Sequence, residues 1–187
     1  AERLSDEIVS ELSDLGMPGS SFGVVISERP KNRFFSKNGC DEASFVFSAN
    51  PGEPEKPLEK IVSGGEASRI MLAVKTILAH ADSTPSLIFD EIDAGVSGKT
   101  ATAVSSKMKR LARYKQVLCV THLAQIAAAA DVNYFITKEL LSGRTQTVLH
   151  KLDQEGQKRE VARLLSGETD VQSLNLSEHM ISAKENE

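Results

Sequence analysis

The chain has 187 residues and a formal net charge of −4. Hydrophobic residues are 40% and charged residues 26%, which suits one buried core and excludes wholesale disorder. No apolar run approaches the roughly 20 residues of a membrane helix; two cysteines exclude a disulfide framework, and 5% aromatics with no Trp disfavour a base-stacking platform.

The first residues lack a basic-then-apolar leader, so a reduced, cytoplasmic setting is expected. Leu4, Ile8, Leu12 and Leu15 share one helical face, which predicts an amphipathic helix packed on the domain or the last turns of a coiled-coil arm. Gly16, Pro18 and Gly19 end it. Residues 21–27 read as a strand, 29–32 as a loop, 33–36 as a short strand and 43–48 as a further alternating strand, with a turn at Asn38-Gly39; this front section is expected to be antiparallel. Residues 49–57 hold three of the six prolines and form a loop. A helix follows over about 64–81, with Ile70, Met71, Val74, Ile77 and Leu78 at helical spacing. Residues 86–89 are a continuous run of the kind buried on both faces, 98–113 a second amphipathic helix, 116–121 a second buried strand and 123–130 a short Ala-rich helix. Strands 133–140 and 145–152 flank a turn at 141–144 as an edge hairpin. Helices at about 155–165 and 171–183 and a charged tail, 184–187, complete the chain. Strand–helix–strand alternation in the middle implies a parallel sheet with right-handed crossovers.

Three places carry chemistry. Ser63-Gly64-Gly65-Glu66 heads the long helix. Ser and Glu three apart make a capping box, but two glycines weaken a first turn and instead let an anion approach the helix-terminal amides. Leu87-Ile88-Phe89-Asp90-Glu91 puts two carboxylates at the carboxyl end of a buried strand, the edge where open α/β sheets bind ligands. There Asp90 can hold Mg²⁺ through water and Glu91 can act on an attacking water. Thr121-His122 follows the neighbouring strand at the same edge, where a neutral imidazole can position water or contact a phosphate. Gly98-Lys99-Thr100 imitates the end of a P-loop, but Asp93 stands where its first Gly belongs, and no G-x-x-x-x-G-K-[ST] occurs in the chain. The cations Lys107, Lys109, Arg110, Arg113 and Lys115 fit the carboxyl end of a helix better than a DNA-facing patch.

In order and wording these segments, VSGGEASRIMLAVKTILA, PSLIFDEIDAGVSGKTA and QVLCVTHLAQIAAAAD, resemble the C-terminal part of the RecN family, bacterial DNA-repair ATPases related to SMC proteins. The match is densest over 50–131 and looser over the last fifty or so residues. The resemblance implies an α/β fold, the C-terminal lobe of a P-loop (ABC/SMC-type) ATPase head, with a mixed, largely parallel sheet flanked by helices. It implies that Ser63, Gly64, Gly65 and Glu66 are the ABC signature, meeting ATP of a facing head. Asp90 becomes the Mg²⁺-associated acid of Walker B, Glu91 the catalytic base and His122 the switch histidine. Asp93 and Ser97 fall in the loop that follows Walker B, with Ser97 where an Asp is usual. The expected cofactors are ATP and Mg²⁺. The expected partners are an N-terminal Walker A lobe of the same protein, a second head in an ATP-sandwiched homodimer, and DNA ends, with no membrane. A bacterial cytoplasmic, nucleoid-associated location goes with this, the isolated chain is expected to be inactive, and residues 1–16 would be the end of the coiled-coil arm. The alternatives are a noncatalytic dimerisation module and a head lobe of another SMC-like or ABC ATPase.

Overall fold

The computed structural model describes residues 1–28, 39–60, 63–141 and 143–183. The expected 29–32 loop, the 33–36 strand, Asn38, Ser142 and the 184–187 tail lie outside these residues.

Helix α1 (Glu2–Asp14) buries Ile8 and Leu12 completely, with Leu15 just beyond its end. It joins the main core, which also contains Phe22, Phe47, Ile70, Leu72, Phe89, Ile92, Val104 and Leu111. Lys107 anchors it from outside, with Nζ 2.6 Å from Glu11 Oε2 and 2.9 Å from Asp14 Oδ2. Strands β1 (Ser21–Glu28) and β2 (Asp41–Ser48) pair antiparallel from Ser21↔Ser48 to Glu28↔Asp41. The Pro-rich stretch expected to be loop also contributes β3 (Lys56–Pro57), two edge residues paired with β2. Proline lacks an amide proton, so an edge is where it can sit.

Helix α2 (Gly64–Ile77) stops short of the expected 81. Residues 78–82 close in turns on the Leu78 carbonyl, and Asp82 takes the Thr84 amide. Strand β4 (Ser86–Phe89), helix α3 (Gly98–Ala112) and strand β5 (Gln116–Cys119) form the expected crossover, β4 and β5 pairing parallel. Among the described residues parallel pairing is confined to these two strands, and the strands fall into three separate sheets. Burial on both faces is not observed. Leu87 and Phe89 are buried, whereas Ile88 is 74% exposed, and Leu118 and Val120 are also exposed. One helical layer covers one face, and no described residue forms a layer over the other.

Helix α4 (Ala124–Ala129) leads to the hairpin β6 (Tyr134–Leu141) and β7 (Arg144–Lys151), whose strands reach closer to the turn than expected. Helices α5 (Gln154–Ser166) and α6 (Val171–Ala183) follow. Asp153 caps α5 by accepting the Gly156 amide, and Gly167 ends it in the left-handed conformation. Val161 packs with Ala124, Ala127 and Ala128 in a second small core. No helix among the described residues is long and apolar enough to cross a membrane.

Candidate functional site

Strands β4 and β5 end level. Phe89 pairs with Cys119, and the Val120 amide donates to the Phe89 carbonyl at 3.0 Å. Asp90-Glu91 and Thr121-His122 therefore leave the sheet side by side, at the edge expected from the sequence. Asp90 and Glu91 are exposed. Asp90 Oδ1 accepts the Glu91 amide at 3.0 Å, and the Glu91 carbonyl accepts the Ala94 amide at 2.9 Å. Between these bonds Glu91 is held at φ 56°, left-handed backbone that a Glu adopts only at a cost of about 1–3 kcal/mol.

The amino end of α2 lies against this loop. Ser63 Oγ accepts the Glu66 amide at 3.4 Å, one half of the capping box. Ser68 Oγ donates to the Asp90 carbonyl at 2.7 Å. Arg69 Nη1 donates to the carbonyls of Ala94 at 2.9 Å and Ile92 at 3.3 Å. Arg69 is buried; burial pushes its pKa down, against an opposing pull from Glu66. The structure adds a packing reason for the glycines. A Cβ on Gly64 would lie 2.1 Å from Glu91 Oε2, and one on Gly65 would lie 2.9 Å from the Ala94 carbonyl oxygen. Both glycines are therefore also needed for the close fit between the α2 terminus and the neighbouring loop.

Asp93 points into the protein. Expected from the resemblance among the cofactor-binding residues, it has a side chain that is 4% exposed in the chain alone. A buried carboxylate needs donors, and Asp93 Oδ2 finds them in Thr121 Oγ1 at 2.6 Å and the His122 amide at 2.8 Å, with His122 Nδ1 lying 3.0 Å away. The His122 side chain is itself 72% exposed. Ser97 is exposed at the N-cap of α3 and makes no side-chain capping bond.

No group of three or more His, Cys, Asp or Glu among the described residues can hold a metal. An exposed Asp90 fits Mg²⁺ held by one carboxylate, with water and phosphate oxygens as its other ligands. Behind the edge, burial raises the Cys119 thiol to about 12, helped by Asp93 and then Asp90. In the folded chain a maleimide at neutral pH is expected to label exposed Cys40 and spare Cys119, as mass spectrometry would read. A raised folded pKa stabilises below the unfolded value of 9.0, and this contribution is lost as pH climbs from there towards about 12.

Ser68 and Arg69 went unnoticed in the sequence. The available signal was an arginine four residues after Gly65, on the face that packs inward. Of the cationic cluster, Lys107 is held by α1, and Lys115 Nζ donates to the Asp82 carbonyl. Neither is available to a DNA-facing patch.

No family model matches the chain. It is 44% identical over 168 residues to DNA repair protein RecN of Halalkalibacterium halodurans, covering 89% of this chain and 30% of that protein. For RecN of Vibrio cholerae the identity is 40% over 185 residues, covering 98% and 33%, and for RecN of Deinococcus radiodurans 42% over 181 residues, covering 97% and 31%. The chain thus spans about a third of these relatives. Among solved structures it is similar to the Smc head domain with a coiled coil and joint from Pyrococcus yayanosii, with TM-score 0.56 and 23% identity over 88% of this chain and 29% of that one. The Smc head domain from Pyrococcus furiosus, with an extended coiled coil, gives TM-score 0.52 and 24% identity over 82% and 36%. In sequence the chain belongs with the C-terminal part of the RecN proteins, and in fold with SMC head domains.

Proposed function

We propose that this chain is one lobe of a split ATPase head in a RecN-like protein of DNA double-strand-break repair. What carries the reading is the meeting of three separate segments, the α2 amino end, Asp90-Glu91 and Thr121-His122, at the carboxyl edge of β4 and β5. Asp90 is placed to hold Mg²⁺ through water. Glu91, exposed and held in a strained turn, is placed to take a proton from an attacking water. His122 is placed to orient that water. Ser63, with Gly64, Gly65 and Glu66 around the α2 terminus, is suited to phosphates presented by a facing head. Mg²⁺ bound with ATP supplies positive charge where negative charge develops on the phosphate oxygens.

The exposed face of Ile88, Leu118 and Val120 supports the lobe assignment. Three large apolar side chains, two on adjacent strands and one just past the end of β5, are the kind of patch a second layer covers. An N-terminal lobe carrying the Walker A cradle is the proposed cover, and a second head would complete the ATP sandwich. DNA ends would act through the complete protein, in the bacterial cytoplasm.

The test compares ATP binding by the chain alone with binding by the chain co-expressed with the preceding part of its protein. Binding is expected only when the lobes are joined. Tight ATP binding by the chain alone would overturn the assignment.

A further inference from the structure

Among the described residues Glu91 is the one non-glycine with a positive φ, and its own bonds do not impose that angle. The Ala94 amide, donating to the Glu91 carbonyl, closes a turn in which Glu91 comes first. Such a bond sets the torsions of the two central residues, here Ile92 and Asp93, and leaves φ of the first one free. The constraint comes from α2. A serine inside a helix ordinarily returns its hydroxyl to the carbonyl four residues back. Ser68 instead gives its hydroxyl to the Asp90 carbonyl, 22 residues away, at 2.7 Å. That carbonyl shares a peptide plane with the Glu91 amide, so holding it holds the amino side of Glu91. Arg69 gives Nη1 to the carbonyls of Ile92 at 3.3 Å and Ala94 at 2.9 Å, which holds the carboxyl side. Burying a guanidinium is costly, and Arg69 Nε has no hydrogen-bond partner, so packing alone does not account for an arginine here.

We infer that Ser68 and Arg69 are positioning residues that hold Glu91 in its left-handed turn and so aim its carboxylate. This rests on the reading of Glu91 as the base. With both flanks fixed from α2, the rotation at Glu91 is what remains to join them. The turn brings Glu91 Oε2 to the α2 terminus, where a Cβ built on Gly64 would lie 2.1 Å from it. Released from these ties, a glutamate returns to negative φ, the conformation its Cβ prefers. Its side chain then leaves the α2 terminus. The aim of the base therefore depends on α2 staying docked against residues 90–94.

The test is proton NMR of the Glu91 backbone in the 187-residue chain. At a φ near that of Glu91 a residue's own Hα and amide proton lie closer together than in a helix, so their nuclear Overhauser contact reads the turn directly. A strong contact is expected in the parent chain. Ser68→Ala and Arg69→Met leave Glu91 itself unaltered, and each should weaken the contact towards the strength seen for helical residues. If Arg69→Met does not fold, Ser68→Ala carries the test, because Ser68 is only half-buried and alanine suits a helix. A weak contact in the parent chain, or one of parent strength in either folded variant, overturns the proposal. In the complete protein the same variants should lower ATP turnover at saturating nucleotide on the order of 10²-fold, the cost of moving a catalytic group by about 1 Å. A turn that reverts while turnover stays at the parent rate would remove Glu91 as the base, and the positioning role with it. The NMR readout needs neither nucleotide nor a second lobe, so the two failures are told apart.

Discussion

Replacing Glu91 by Gln in the complete protein is expected to cut ATP turnover by about 10²–10⁴-fold, the usual worth of a general base, while nucleotide-driven association of heads persists. Gln has the same shape as Glu, so contact with the α2 terminus at Gly64 is kept. The left-handed backbone at φ 56° is equally strained for either residue, so the fold should not distinguish them. What Gln lacks is the ability to take a proton from water. Phosphate release measures the first effect and sedimentation with nucleotide the second. Turnover at the parent rate would remove Glu91 as the base and leave Asp90 and His122 without a partner in hydrolysis.

The sheet edge was legible because its signals are local. Four apolar residues followed by Asp90-Glu91, and a second apolar run followed by Thr121-His122, define strand ends whatever the rest of the chain does. Helix α1 was legible for the same reason, since Ile8, Leu12 and Leu15 stand on one face and all three are fully buried. The use of Asp93 was not legible, because its donors lie 28 and 29 residues away and only the parallel register of β4 and β5 brings them within reach. The grip of Arg69 spans 23 and 25 residues and is hidden likewise. The open side of β4 escaped for another reason. An apolar run states that a strand prefers cover on both faces, but not that the covering layer belongs to the same segment. The strain at Glu91 has no sequence signal, because the residue that adopts it is not Gly.

Alanine at Gly64 and at Gly65 should act in opposite directions. At Gly65 a Cβ would lie 2.9 Å from the Ala94 carbonyl oxygen, 3.0 Å from Ala94 Cβ and 3.1 Å from the Glu91 carbonyl oxygen. These are mostly backbone atoms, so the loop must move, and overpacking of this kind costs about 1–3 kcal/mol. Alanine's better helix propensity offsets at most about 1 kcal/mol, so Gly65→Ala should lower Tm. At Gly64 the obstruction is Glu91 Oε2 at 2.1 Å, the tip of an exposed side chain that can swing away. Gly64→Ala should therefore leave Tm unchanged or slightly raised, yet displace the carboxylate. Displacement of a catalytic group by about 1 Å costs on the order of 10²-fold in turnover. Thermal melts of the chain and phosphate release by the complete protein separate the two effects. If the glycines served only to admit a phosphate, neither alanine would destabilise the unliganded chain. A melting temperature lowered by Gly65→Ala alone would mean that the tight fit between α2 and the 91–94 loop is built before any nucleotide arrives.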